Sequence, residues 1–177
     1  DLRSNNANEV ANITFTAGTD FNLRGTIDYE STTNADEAIP EFATILTINA
    51  NNDVNIGSII PAATDIGDFG IIDNNSAGFN PLTLNLNADN DSSGEGDIVI
   101  ASDHFNGDGL DTNIYLGGGS LTATGVNFTI GRTGDDADVG QINTEGGNVN
   151  IYVSGAVTLY ENDQACDWES TSAIRTA

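Results

Sequence analysis

Ile13-Thr14-Phe15-Thr16-Ala17-Gly18-Thr19-Asp20-Phe21-Asn22-Leu23 is matched in kind, position by position, by Leu46-Thr47-Ile48-Asn49-Ala50-Asn51-Asn52-Asp53-Val54-Asn55-Ile56. The offset from Ile13 to Leu46 is 33 positions, with nothing out of register. A third copy opens as Leu84-Asn85-Leu86-Asn87-Ala88-Asp89-Asn90-Asp91, inserts Ser92 to Gly96, and resumes at Asp97-Ile98-Val99-Ile100. Each copy reads apolar-polar-apolar-polar-Ala, then a short polar turn, then apolar-polar-apolar. Alternation of period two marks a strand with one buried face, and Asn, Asp and Gly mark the corner between two of them. Self-similarity at a fixed period points to units that cannot bury their apolar face alone and so stack on one another.

The second half uses a different repeat. Gly117-Gly118-Gly119-Ser120-Leu121-Thr122-Ala123 matches Glu145-Gly146-Gly147-Asn148-Val149-Asn150-Ile151 at an offset of 28. Each is followed by another alternating run, Val126-Asn127-Phe128-Thr129-Ile130 and Val157-Thr158-Leu159. Gly pairs suit corners where φ turns positive. Thr26 to Glu41 is acidic and rich in Thr and Asn, and reads as a loop leaving the repeats. Pro61 to Asn80 reads as one irregular coil. The expected organisation is a flexible lead-in over 1–11, stacked repeats over 12–160, and a cap or tail over 161–177 holding Cys166 and Trp168. A cap is expected because a bare end exposes strand edges.

The expected fold is all-β: a single-domain right-handed parallel β-helix (β-solenoid) of about six to eight coils. Ile13, Phe15, Leu23, Leu46, Ile48, Ile56, Leu84, Leu86, Ile98, Ile100, Leu121, Phe128, Val149, Ile151 and Leu159 are expected to point inward.

Composition narrows the function classes. The chain has 177 residues, 27 acids, four Arg and no Lys, for a formal net charge of −23. Binding the phosphate line of a nucleic acid needs clustered cations, and Arg3, Arg24, Arg132 and Arg175 are scattered. Nucleic acid and anionic membrane surfaces are therefore not expected partners. No apolar run is long enough to span a bilayer, so membrane insertion is not expected. Cys166 and His104 are each the only residue of their type, which leaves no intrachain disulfide and no Cys-His zinc set. A chain that begins at Asp1 without Met is expected to be a processed product or a fragment.

Two acidic stretches have the composition of calcium loops, because alternating acids on a Gly-bent loop can supply the many oxygens that calcium takes. The first places Asp89, Asp91, Ser93 and Asp97 at ligand-like spacing, but Ile100 stands where a closing bidentate Glu belongs. The second, Asn106-Gly107-Asp108-Gly109-Leu110-Asp111, offers Asn106, Asp108 and Asp111, with no acid to close it. For both, an expanded polar corner competes with a calcium site, and calcium is the one cofactor the sequence suggests. His104 has no nucleophile motif beside it and reads as a loop histidine. Asp135-Asp136 has the look of a carboxylate pair for glycan cleavage, but such chemistry also needs a defined separation and a sugar platform. Asn12, Asn74, Asn90 and Asn127 open glycosylation sequons of the kind expected by chance in an Asn- and Thr-rich chain. Thr14-Phe15-Thr16 and Thr122-Ala123-Thr124 have the form of an ice-binding Thr array, but as two pairs on different repeat types they read better as strand faces.

The phrases Leu46 to Ile59, Leu84 to Ser102 and Ile142 to Leu159 resemble the body repeats of the filamentous-haemagglutinin family. The resemblance covers about residues 12–160. It implies a right-handed parallel β-helix, export from a Gram-negative bacterium by two-partner secretion, and an adhesive or structural role outside the cell or on its surface. The family's Asn-Pro-Asn-Gly secretion motif is reduced to Asn80-Pro81-Leu82, which implies a shaft segment and not the export domain. The family has no catalytic residues to carry over. The expected function is thus a non-catalytic structural or adhesive segment, with a host-surface or glycan receptor and end-to-end self-association as expected partners. A calcium-stabilised binding module and a polysaccharide-processing β-helix enzyme are the alternatives.

Overall fold

The computed structural model describes residues 12–24, 26–28, 44–57, 71–73, 81–101, 113–131, 141–160 and 174–176. Every regular element among them is a strand. The first three are β1 (Asn12–Ala17), β2 (Phe21–Leu23) and β3 (Thr26–Asp28). Then come β4 (Thr44–Ala50), β5 (Val54–Ile56) and β6 (Ile71–Asp73). They are followed by β7 (Leu82–Asn87), β8 (Ile98–Ile100) and β9 (Asn113–Tyr115). The next triplet is β10 (Leu121–Gly125), β11 (Phe128–Ile130) and β12 (Gln141–Asn143). The last is β13 (Val149–Val153), β14 (Val157–Leu159) and β15 (Ile174–Arg175).

These fifteen strands form three five-stranded sheets, ordered β1-β4-β7-β10-β13, β2-β5-β8-β11-β14 and β3-β6-β9-β12-β15. All pairings are parallel. The chain therefore visits the three sheets in rotation, and each strand pairs with the strand three places later. We call one visit to all three sheets a round, and the described strands make five.

The register equals the sequence alignment. Ile13 lies opposite Leu46, and Phe21 opposite Val54, at the offset of 33. Leu121 lies opposite Val149 at the offset of 28. Leu84 lies between Leu46 and Leu121, so both repeat types share one sheet.

Stacking like on like makes an apolar column under each inward position. One runs Phe15, Ile48, Leu86, Ala123, Ile151, and another Leu23, Ile56, Ile100, Ile130, Leu159. From Leu46 to Phe128 every residue expected to point inward is buried. Each such aliphatic side chain contributes about 1.5–3 kcal/mol by leaving water. At the ends the column is thinner. Ile13, Phe15, Leu23, Val149 and Ile151 are half-buried, with the Phe15 and Phe21 rings packed 5.8 Å apart. Leu159 departs from expectation: it is 47 % exposed. Its strand is the edge of the second sheet, paired on one side by β11.

One expectation needs correction. The repeats read as two strands each; among the described residues each of five rounds carries a third. The third strand falls within the stretch read as a departing loop (β3), within the irregular coil expected over 61–80 (β6), and within the stretch read as a cap or tail (β15). Its register pairs Ile27, Ile72, Ile114, Ile142 and Ile174 in one column. A strand of two or three residues is too short for alternation to announce it.

Candidate functional site

Asp20, Asp53, Asp97 and Asn127 each stand one residue before a strand of the second sheet, at the corner where the chain leaves the first sheet. Stacked rounds bring these corners above one another, and the side chains form a ladder. The Asp53 amide donates to Asp20 Oδ1 (3.4 Å), and the Asp97 amide donates to Asp53 Oδ1 (2.8 Å). Asp97 Oδ1 accepts twice from Asn127, from its backbone N–H (3.2 Å) and from Nδ2 (2.8 Å). Asn127 Oδ1 accepts the Ala156 amide at 2.8 Å. Each short acidic or amide side chain thus satisfies a backbone donor of the next round. A corner leaves amides that sheet pairing does not reach, and these side chains supply their acceptors at exposed and half-buried positions. At Ala156 the side chain carries no acceptor and the ladder ends.

Asp97, one of the expected calcium ligands, is thus the acceptor of two bonds in this ladder. The others in the same loop are also engaged. Asp89, at φ 56°, accepts the Gly94 amide at 2.9 Å and the Ser93 hydroxyl at 3.1 Å through Oδ1. Asp91 Oδ1 accepts the Ser93 amide at 3.2 Å. These are the bonds of a polar corner that closes on itself, with Gly94 and Gly96 also at positive φ. Among the described residues no group of three His, Cys, Asp or Glu side chains is placed to hold a metal ion. Asn106, Asp108, Asp111, His104 and Asp135-Asp136 lie outside the described residues.

Asn127 also opens a sequon. Its Nδ2 donates to Asp97.

A second arrangement lies on the outward face of the first sheet. Two of its columns run through all five strands, Thr14-Thr47-Asn85-Thr122-Asn150 and Thr16-Asn49-Asn87-Thr124-Tyr152, beside a shorter one, Asn12-Ile45-Thr83. The two Thr-X-Thr pairs that seemed to belong to different repeat types occupy the same two columns. Between them Asn fills most places. Asn87 Nδ2 donates to Asn49 Oδ1 at 2.8 Å, and Asn85 Nδ2 to Thr47 Oγ1 at 3.3 Å. Sequence reasoning missed this face because it requires the pairing of Leu84 with Leu121, at an offset that neither repeat shows.

The second sheet has a shorter ladder. Asn55 Nδ2 donates to Asn22 Oδ1 at 3.1 Å. Asn55 is 2 % exposed, and its Oδ1 has no partner. The next residue in that column is Val99, which offers no donor. Val99→Asn is therefore expected to continue the ladder as Asn87 continues from Asn49. The expected gain is up to about 1 kcal/mol, one hydrogen bond to a buried acceptor, read as a higher urea midpoint at unchanged slope.

Comparisons with protein-family models, curated proteins and solved structures gave no match for this chain.

Proposed function

We propose that the chain is a segment of a right-handed parallel β-helix of the filamentous-haemagglutinin type, with a structural or adhesive role outside the cell or on its surface and no catalytic activity. The observation that carries this reading is the rotation through three parallel sheets with like residues in register. A chain that winds this way makes a rod whose apolar column supplies stability while its outside varies. Right-handedness follows from the twist of the strands, which favours right-handed crossovers between parallel neighbours. The carboxylates support the non-catalytic part. Asp53 and Asp97 stack along the axis as backbone acceptors, where a glycan-cleaving pair would face each other across a bound sugar.

The same reading extends to assembly. In the described strands β1, β2 and β3 form one set of edges and β13, β14 and β15 the other. Tyr152 and Val157 near the second set are 63 % and 51 % exposed. Open edges pair with further strands, and a head-to-tail contact that does not close gives a filament. A charge of −23 opposes such contacts at low salt, so association should strengthen with ionic strength.

Three measurements test the proposal. A far-UV spectrum dominated by strand is expected, and one dominated by helix would overturn the fold. No turnover is expected on a panel of neutral and acidic polysaccharides, and release of reducing ends from any of them would overturn the non-catalytic reading. Light scattering should report a mass that rises with salt; a monomer at every ionic strength would end the assembly claim.

A further inference from the structure

We infer that the edge formed by β13, β14 and β15 seats a second copy of this chain by its β1, β2 and β3 in continued register, with Arg175 of one copy opposite Asp28 of the next. The six edge strands hold one charged residue at each end of the stack, Asp28 in β3 and Arg175 in β15. The two have opposite signs, and they belong to one column. Asp28 pairs with Asp73, Asp73 with Tyr115, Tyr115 with Asn143, and Asn143 with Arg175. One further step of that column, out of a first copy and into a second, sets an Arg position against an Asp position. Unlike charges directly opposed on neighbouring strands favour the pairing, and like charges oppose it. In a chain with 27 acids and four bases, few positions could offer a second copy a cation.

The apolar columns end in step with this register. It lays Ile13 on Val149, Leu23 on Leu159 and Ile27 on Ile174, each pair being the two ends of one column. Five of these six residues are half-buried, and Leu159 is 47 % exposed. Both ends thus keep apolar surface that a continued stack would remove from water. A two-fold contact brings like ends together, so it cannot oppose Asp28 to Arg175. The register presupposes the head-to-tail assembly proposed above and names the residues that direct it.

The test uses the full chain at one fixed ionic strength of about 0.15 M or more, where repulsion between distant charges is largely screened. Asp28→Arg makes the chain less acidic by two charges, and Arg175→Asp makes it more acidic by two. Net repulsion alone would strengthen association in the first and weaken it in the second. The pair predicts otherwise: by light scattering, each variant alone associates about tenfold more weakly than the parent. An equimolar mixture of the two recovers the parent's association, because every junction between unlike copies again opposes Arg to Asp. Should either variant lose its strand spectrum, Ala156→Asn replaces it. Asp20 of a stacked copy stands to position 156 as Asp53 stands to Asp20, and the Ala156 side chain offers the Asp20 amide no acceptor. The substitution supplies one and is expected to strengthen association about fivefold. Association that follows net charge across the variants, that the mixture fails to restore, or that Ala156→Asn leaves unchanged would overturn the register and leave assembly standing. A parent that is monomeric at every ionic strength would overturn both.

Discussion

Gly119→Ala is expected to lower stability by about 3 kcal/mol, the upper end of what overpacking costs. A Cβ built on Gly119 would run into the backbone of Leu82, meeting its carbonyl carbon and oxygen first and its nitrogen at 2.7 Å. Backbone cannot rotate away as a side chain can. The neighbouring round would have to lift, and β7 and β10 are paired there along four residues. Gly147 stands one round later in the same relation: its Cβ would meet the carbonyl group of Gly119. The two glycines are thus required by close approach and not by φ, since positive φ falls on their neighbours Gly117, Gly118, Glu145 and Gly146. Gly18→Ala is the control. Nothing lies within 4 Å of its added Cβ, so the change should be neutral or raise stability by about 0.4–1 kcal/mol through the unfolded chain. Urea unfolding of both variants checks the pair. Equal midpoints would refute the close-approach argument. A lower slope for Gly119→Ala alone would mean that the rounds on either side unfold separately, as stacked repeats do when one interface is weakened.

Much of the fold was legible because repetition writes the register into the sequence. Ile13 with Leu46, and Leu121 with Val149, could be aligned by eye, and the strands pair at those offsets. What stayed hidden has definite causes. β3, β6, β9, β12 and β15 have two or three residues each, too few to show alternation. Tracing Ile27, Ile72, Ile114, Ile142 and Ile174 would have found them, but only after the rounds were counted. The glycines were read for positive φ, which holds at Gly117 and Gly118; the close approach at Gly119 needs the neighbouring round in view. Asp97 was legible as an acid in a polar loop. Its role depends on Asn127, thirty residues later, and a local motif search had no reason to pair the two.

That pairing yields the second large effect. Asp97→Ala is expected to cost about 2–3 kcal/mol, in the range for hydrogen bonds to a charged acceptor. The change removes the acceptor of both the Asn127 amide and its Nδ2, on a half-buried residue. The loss should spread, because Asn127 Oδ1 holds the Ala156 amide and a released Asn127 side chain no longer holds that bond in place. Asp97→Asn keeps the one oxygen that accepts both bonds but without the carboxylate's charge, so an intermediate loss is expected. The measurement also separates the two readings of the loop. If Asp97 acts as a rung of the corner ladder, the destabilisation is the same in excess calcium and in chelator. If Asp97 is instead a ligand with Asp89, Asp91 and Ser93, calcium raises the parent's unfolding midpoint, and that increment disappears in the variant by linkage. A parent whose midpoint climbs with calcium, and a variant that equals the parent in chelator, would overturn the ladder.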